Sequence, residues 1–142
     1  MELARTGMTT PFEFVVPGPP VSQQARRRAR LNEWRQNVLD VAKRSWDDRS
    51  PFGEEVMVMI TYFFDGASLD VDNIPKPILD AMKGLVFSDD SQVSDLLCRK
   101  RDLNSDLQIQ SPSSILIAAL RGSQQFVHVA VTRALAQEVA SW

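Results

Sequence analysis

A single small α/β (α+β) domain, strands packed with two or three helices, is the fold class the sequence predicts, and three observations carry the prediction. Short apolar segments with strand-like patterning stand on both sides of one long segment with helical periodicity. Apolar residues make up 44% and charged residues 24% of the 142, the balance of an ordinary globular core under a solvated surface, and the length suits one domain. The longest unbroken apolar run, Ile115 to Leu120, is far short of the roughly 20 residues that cross a bilayer, which excludes an integral helical membrane protein.

The elements follow in chain order. Phe12 to Val16 reads as a short strand stopped by Pro17, Gly18, Pro19 and Pro20. From Leu31, the residues Leu31, Trp34, Val38, Val41, Ala42 and Trp46 recur near the helical period, with Arg35, Asp40, Lys43 and Arg44 on the other face; Ser50, Pro51 and Gly53 end that helix. Glu55 to Phe64 is apolar on both alternating faces, the pattern of a central strand covered on two sides. After the turn at Asp65 to Ser68, Leu69 to Asp72 reads as a short extended piece. Asn73 fits a helix cap, with Pro75 in the first turn and Gly84 as the stop. Leu85, Val86 and Phe87 form an apolar plug before the turn Ser88, Asp89, Asp90, and Gln92 to Leu103 reads as another strand. Ser111-Pro112 and Gly122 bracket a short helix of about ten residues, although its isoleucines also suit a strand. Phe126 to Val131 is a further strand. The predicted organisation is a flexible N-terminus over 1–10, one domain over 11–133 and a weakly helical tail over 134–142.

Rare residues narrow the chemistry. Cys98 is the only cysteine and His128 the only histidine, so no intrachain disulfide, cysteine-based zinc site or multi-histidine centre can form within one chain. A metal would be held mainly by oxygen ligands, which points to magnesium, manganese or calcium. His128, in an alternating apolar strand, reads as a satisfied or surface histidine, and Cys98 as a partly buried apolar residue. Trp34 and Trp46 read as packing between helix and sheet. Residues 1–10 hold no apolar secretory core, so the expected location is cytoplasmic.

The net charge of -2 hides a division of labour. Between Arg26 and Arg49 eight basic residues face four acidic ones; between Asp65 and Asp95 seven aspartates face only Lys76 and Lys83. A second basic cluster, Arg99, Lys100 and Arg101, follows at once. An acidic centre flanked by cationic segments suits a protein that binds a polyanion and performs metal chemistry on it. Arg26, Arg27, Arg28, Arg30 and Arg35 are candidate DNA contacts. In a strand, either Arg99 and Arg101 share the DNA side or Lys100 does so alone.

Within the acidic stretch, Asp70 and Asp72 would share a face if the backbone is extended, and Lys76 and Asp80 share a helix face four residues apart. Carboxylates about 5 Å apart repel by about 3 kcal/mol at an effective dielectric of 20, so a cluster needs a cation to offset its charge. A divalent metal there would activate water and neutralise charge on a phosphate oxygen, and Lys76 would add a positive point charge at the scissile phosphate.

Asp70-Val71-Asp72-Asn73-Ile74-Pro75-Lys76, then Leu79-Asp80-Ala81-Met82, then Phe87-Ser88-Asp89-Asp90-Ser91-Gln92-Val93 resembles the signature of RusA-type Holliday-junction resolvases. Val16 to Pro20 and the basic stretch after it are similar to that family's N-terminal region, although Val21 to Ala25 is uncharged where earlier basic residues are expected. The resemblance implies a small mixed-sheet domain that forms a homodimer and nicks four-way DNA junctions in pairs with Mg2+, or with Mn2+ in its place. It puts the metal ligands at Asp70, Asp72 and Asp90, the catalytic lysine at Lys76, and Asp89, Asp80 and Asn73 in supporting positions. It also implies a role in DNA recombination and repair, and a bacterial, phage or prophage source. Three alternatives stay open from the residues: a junction-binding module that does not cut, a metal-dependent phosphatase or nucleotide hydrolase, and a nuclease of the same fold acting on other branched DNA or RNA.

Overall fold

The computed structural model describes residues 11–134 together with Gln137, Val139 and Ser141. The expected flexible N-terminus and most of the expected helical tail lie outside the described residues. In chain order the elements are β1 (Phe12–Pro17), α1 (Arg28–Trp46), β2 (Val56–Phe64), a 3₁₀ turn (Val71–Asn73), α2 (Pro75–Met82), a second 3₁₀ turn (Asp90–Gln92), β3 (Val93–Asp102), α3 (Ser114–Arg121) and β4 (Phe126–Arg133). The strands form one sheet in the order β1-β4-β2-β3, antiparallel at β1-β4 and β4-β2 and parallel at β2-β3. The α+β class and mixed sheet are as the sequence predicts.

Burial follows the pleat. Phe14 and Val16 of β1, Val56, Val58, Ile60 and Tyr62 of β2, and Val127, Val129 and Val131 of β4 point to one face and are almost wholly removed from water. That face is covered by Trp34, Val38, Ala42 and Trp46 of α1 and by Ile78, Ala81 and Met82 of α2. Each such large side chain contributes about 2 kcal/mol on burial. Trp46 also meets Phe12 edge-on, with ring centroids 4.7 Å apart, and its Nε1 donates to the Arg49 carbonyl at 3.0 Å. Both tryptophans therefore do the packing expected of them. The opposite face carries a smaller cluster of Phe63, Phe126 and Leu116, the last on α3.

Two local expectations are corrected and a third is met. Leu69 to Asp72 is not extended throughout: Asp70 keeps an extended backbone, but from Val71 the chain enters a 3₁₀ turn that the Asp70 carbonyl helps close by accepting from Asn73 N at 3.0 Å. Asn73 lies inside that turn, and the residue capping α2 is Ile74, with no side-chain cap bond. Pro75 needs no such bond, because a proline at the first helical position has no N–H to satisfy. The segment bracketed by Ser111 and Gly122 is a helix of 8 residues, capped by Ser113, whose Oγ accepts from Leu116 N at 3.1 Å.

After α2 the chain reverses through Gly84 at φ +89°, and Gly84 N donates to the Phe87 carbonyl at 2.7 Å. No atom lies within 4 Å of a Cβ built at Gly84, so an alanine there meets backbone strain alone. Gly84→Ala is expected to lower stability by about 1 kcal/mol in urea unfolding. Gly53→Ala, where φ is not positive and a Cβ also meets nothing, is expected to change it much less.

Candidate active site

The connection from β2 to β3 joins parallel neighbours and must cross over one face of the sheet. Asp70, Asp72, Asn73, Lys76, Asp80, Asp89 and Asp90 all lie on it. The Val71–Asn73 turn packs against β3 and α2 against α1, which sets the acidic residues beside the arginine-rich end of α1.

Lys76 is the centre of the cluster. Its Nζ donates to Asp80 Oδ1 at 2.7 Å and lies 3.5 Å from Asp90 Oδ2. Asp80 is shared, because its other oxygen meets Arg35 Nη2 at 3.5 Å, and Arg35 is also held by Asn32 Oδ1 at 3.0 Å. The hydrogen bond to Asp80 holds the Lys76 ammonium above its ordinary pKa, with lesser support from the charges of Asp80 and Asp90. A lysine held in this way keeps its ammonium charge near neutrality.

Asp90 enters the site from the turn that starts β3. Asp89 Oδ2 accepts from Ser91 N at 3.0 Å, and that bond lowers the Asp89 pKa, helped by Lys83, whose Nζ is 3.7 Å away. Gln92 anchors the same turn from both ends: its Oε1 accepts from Ser88 N and Asp89 N, and its Nε2 donates to the carbonyls of Phe52 and Glu54. Sequence reasoning missed Gln92; only its place in the Asp-Asp-x-Gln pattern hinted at it. The turn leaves Asp90 Oδ1 buried and without a hydrogen-bond partner among the described residues.

That buried, unpartnered carboxylate oxygen is the observation against which a metal ion can be tested. The donor chemistry fits a hard divalent cation, since every candidate ligand is a carboxylate. Asp70 and Asp72 are both exposed, and among the described residues no three carboxylate, imidazole or thiolate groups converge as a ready-made metal cluster. Asp72 lies within the 3₁₀ turn, so the pair does not have the two-residue alternation of an extended Asp-x-Asp.

The loop between β1 and α1 reaches the site through Gln23 N, which donates to the Asn73 carbonyl at 3.2 Å. Gln23 Oε1 is a second buried oxygen without a partner among the described residues, in the uncharged stretch where basic residues were expected. Arg26, Arg27, Arg28 and Arg30 follow, all exposed, at the N-terminus of α1, whose first turn holds no acidic residue. Cations at that end oppose the helix dipole by about 0.3–1 kcal/mol each, a cost that an anionic partner would reverse. Arg35 is turned inward to Asp80.

Alternation decides the second basic cluster. Lys100 pairs with Tyr62 in register and lies on the α2 side, where its Nζ reaches Ser68 Oγ at 3.3 Å. Arg99 and Arg101 pair with Thr61 and Phe63 on the other face, and Arg99 Nε donates to Thr61 Oγ1 at 2.8 Å. There they line a cleft of about 800 Å³ with Glu13 and His128, whose Nε2 lies 2.6 Å from Glu13 Oε2. Cys98 is half-buried, and burial pushes its thiol up to about 11, so it stays protonated near neutrality.

Compared with known protein families, residues 17–110 match the family described as Endodeoxyribonuclease RusA. The chain belongs to the RusA endodeoxyribonuclease family. No curated protein matches it. The matched span runs from the end of β1 through the loop carrying the arginines, α1, β2, the whole acidic crossover and β3, so the RusA family assignment covers every candidate site residue named above. The class of chemistry is therefore that of a DNA endonuclease.

Two outcomes follow from this geometry. Gln92→Ala removes bonds at both ends of the Asp89–Asp90 turn and is expected to cost about 2 kcal/mol in thermal or urea unfolding. The Lys76–Asp80 pair has the sign of a raised lysine: its contribution is fully present below the ordinary lysine value of 10.5 and is lost only as pH rises through the higher folded value. A titration of Lys76 followed by NMR should show no deprotonation between pH 6 and about 9, and Asp80→Asn should bring its pKa down.

Proposed function

We infer that this protein is a divalent-metal-dependent, structure-selective endodeoxyribonuclease that resolves four-way DNA junctions by paired, symmetric nicks, acting as a homodimer in DNA recombination and repair. The observation that carries the reading is the acidic crossover itself: a charged Lys76 between Asp80 and Asp90, an unpartnered buried Asp90 oxygen, and an exposed arginine segment tethered alongside through Gln23 and Asn73.

Asp70, Asp72 and Asp90 would hold the magnesium, or manganese in its place, with Asp70 and Asp72 brought to Asp90 as metal and phosphate bind. When bound, such an ion activates water and neutralises charge growing on the scissile phosphate. The chain's own residues do the rest. Lys76 presents a fixed positive charge to the phosphate or the leaving oxygen. Asp80, braced by Arg35, sets the direction of the lysine and supports its charge, and Asp89 and Gln92 hold the turn that delivers Asp90. Arg26, Arg27, Arg28 and Arg30, on the positive end of α1, take backbone phosphates and fix position without reading sequence. Lys100 extends that path on the same face; Arg99 and Arg101, on the far face, do not belong to it. Two sites related by a two-fold axis are what symmetric cutting requires.

Cleavage of a labelled four-way junction with a mobile core, beside linear duplex, flap and single-stranded controls, tests the reading in magnesium, manganese and chelator. Metal-dependent paired nicks confined to the junction are expected. Equal cutting of all substrates, or junction binding without cutting in either metal, would overturn it. Asp70→Asn, Asp72→Asn and Asp90→Asn should each lower cleavage by about 100-fold or more with junction binding retained, and Lys76→Ala should reduce turnover more than affinity. Replacing Arg26 and Arg27 by alanine should weaken binding of all DNA and flatten its salt dependence by about one unit of slope per lost phosphate contact.

A further inference from the structure

β3 is the long edge of the sheet. It runs ten residues, Val93–Asp102, without a proline, and no strand pairs with its outer edge among the described residues; only at its far end are outer carbonyls engaged, Asp102 accepting from Ser105 N at 3.1 Å and Lys100 from Arg101 Nη1 at 2.8 Å. Natural edge strands are blunted by shortness, proline, inward charge or bulges, and from Asp95 to Cys98 β3 has none of these, its one irregularity lying at Ser94. Instead it exposes Leu96 and Leu97, 46% and 45% accessible, two of the few large apolar side chains left in water.

We propose that β3 pairs antiparallel with β3 of a second copy of this chain, centred on Leu97. A two-fold axis normal to the sheet keeps each residue on its own face, so a residue pairs with a partner an even number of positions away, and the register must centre on a residue. Centring on Leu97 sets Leu97 against itself, Leu96 against Cys98, and Asp95 against Arg99 twice over, with no like charges opposed. The neighbouring registers are worse. Centring on Asp95 or Arg99 opposes like charges directly, centring on Leu96 places Asp95 on Leu97, and centring on Cys98 places Leu96 and Leu97 on Lys100 and Arg99.

The result is a continuous eight-stranded sheet with both acidic crossovers on one face, beside the two-fold, because the Val71–Asn73 turn packs against β3. This rests on the two-copy reading above and supplies its interface.

The test is a charge-exchange cycle read as mass in solution. Wild type is expected to be a dimer; Asp95→Arg and Arg99→Asp should each weaken dimerisation at least tenfold, and an equimolar mixture of the two should restore a heterodimer. Because Arg99 also bonds Thr61, a second probe is independent of charge. Leu97→Cys in a Cys98→Ser background should form a dimer disulfide under mild oxidation, since directly opposed strand residues lie within disulfide range. Ser94→Cys in the same background should not, its two copies lying about 20 Å apart. A wild-type dimer indifferent to both charge swaps and without the Leu97 cross-link would overturn the β3 interface alone. A wild-type monomer at tens of micromolar would overturn both the interface and the homodimer, while the junction and metal assays judge the cleavage reading separately.

Discussion

Because β2 and β3 run in the same direction, the chain leaving Phe64 must travel back along the sheet before it can enter at Val93. A hairpin would have joined them in two to five residues; a parallel crossover cannot, and it needs an apolar helix face to lie down on the sheet. Ile74, Ile78, Met82, Val86 and Phe87, all fully buried, supply that face. Lys76 and Asp80 are then left on the outer side of α2, with Asp90 meeting Lys76 from the turn before β3. The candidate site is the solvent side of a connection that the sheet topology makes unavoidable.

Charge organises what the crossover assembles. Asp80 meets two cations, Lys76 and Arg35, from two different helices, so one carboxylate ties the acidic crossover to the basic helix. Lys76 in turn faces a second carboxylate, Asp90, that arrives from the start of β3. The pairs are partly exposed, and their worth for stability is modest. Their consequence is directional: the lysine is held charged and aimed, and the arginines of the α1 terminus stay free of local acidic partners in its first turn, available to an external anion.

Most of the fold was legible because its signals are local. The strand at Phe12, the helix from Leu31, the two-sided strand before Phe64 and the strand after Gln92 each carry a period that backbone geometry alone imposes. The candidate site residues stood out in the sequence because seven aspartates fall between Asp65 and Asp95 beside only two lysines, and the structure places Lys76 between two of them, Asp80 and Asp90. Where local reading failed, a competing local geometry won. Leu69 to Asp72 alternates like a strand, yet a 3₁₀ turn starts at Val71 and leads directly into α2 at Pro75.

By itself the sequence determined the class of fold, the mainly oxygen donors open to any metal, the acidic and basic segments, and the i, i+4 pairing of Lys76 with Asp80, since all of these depend on residue identity and short-range spacing. Tertiary structure alone decided which residues face each other across long separations. The pleat sent Lys100 to the acidic face and Arg99 and Arg101 to the other. Helix packing turned Arg35 from the solvent to Asp80, and the capped turn buried one oxygen of Asp90. Side-chain direction in a sheet depends on register, and register is fixed only when distant strands meet.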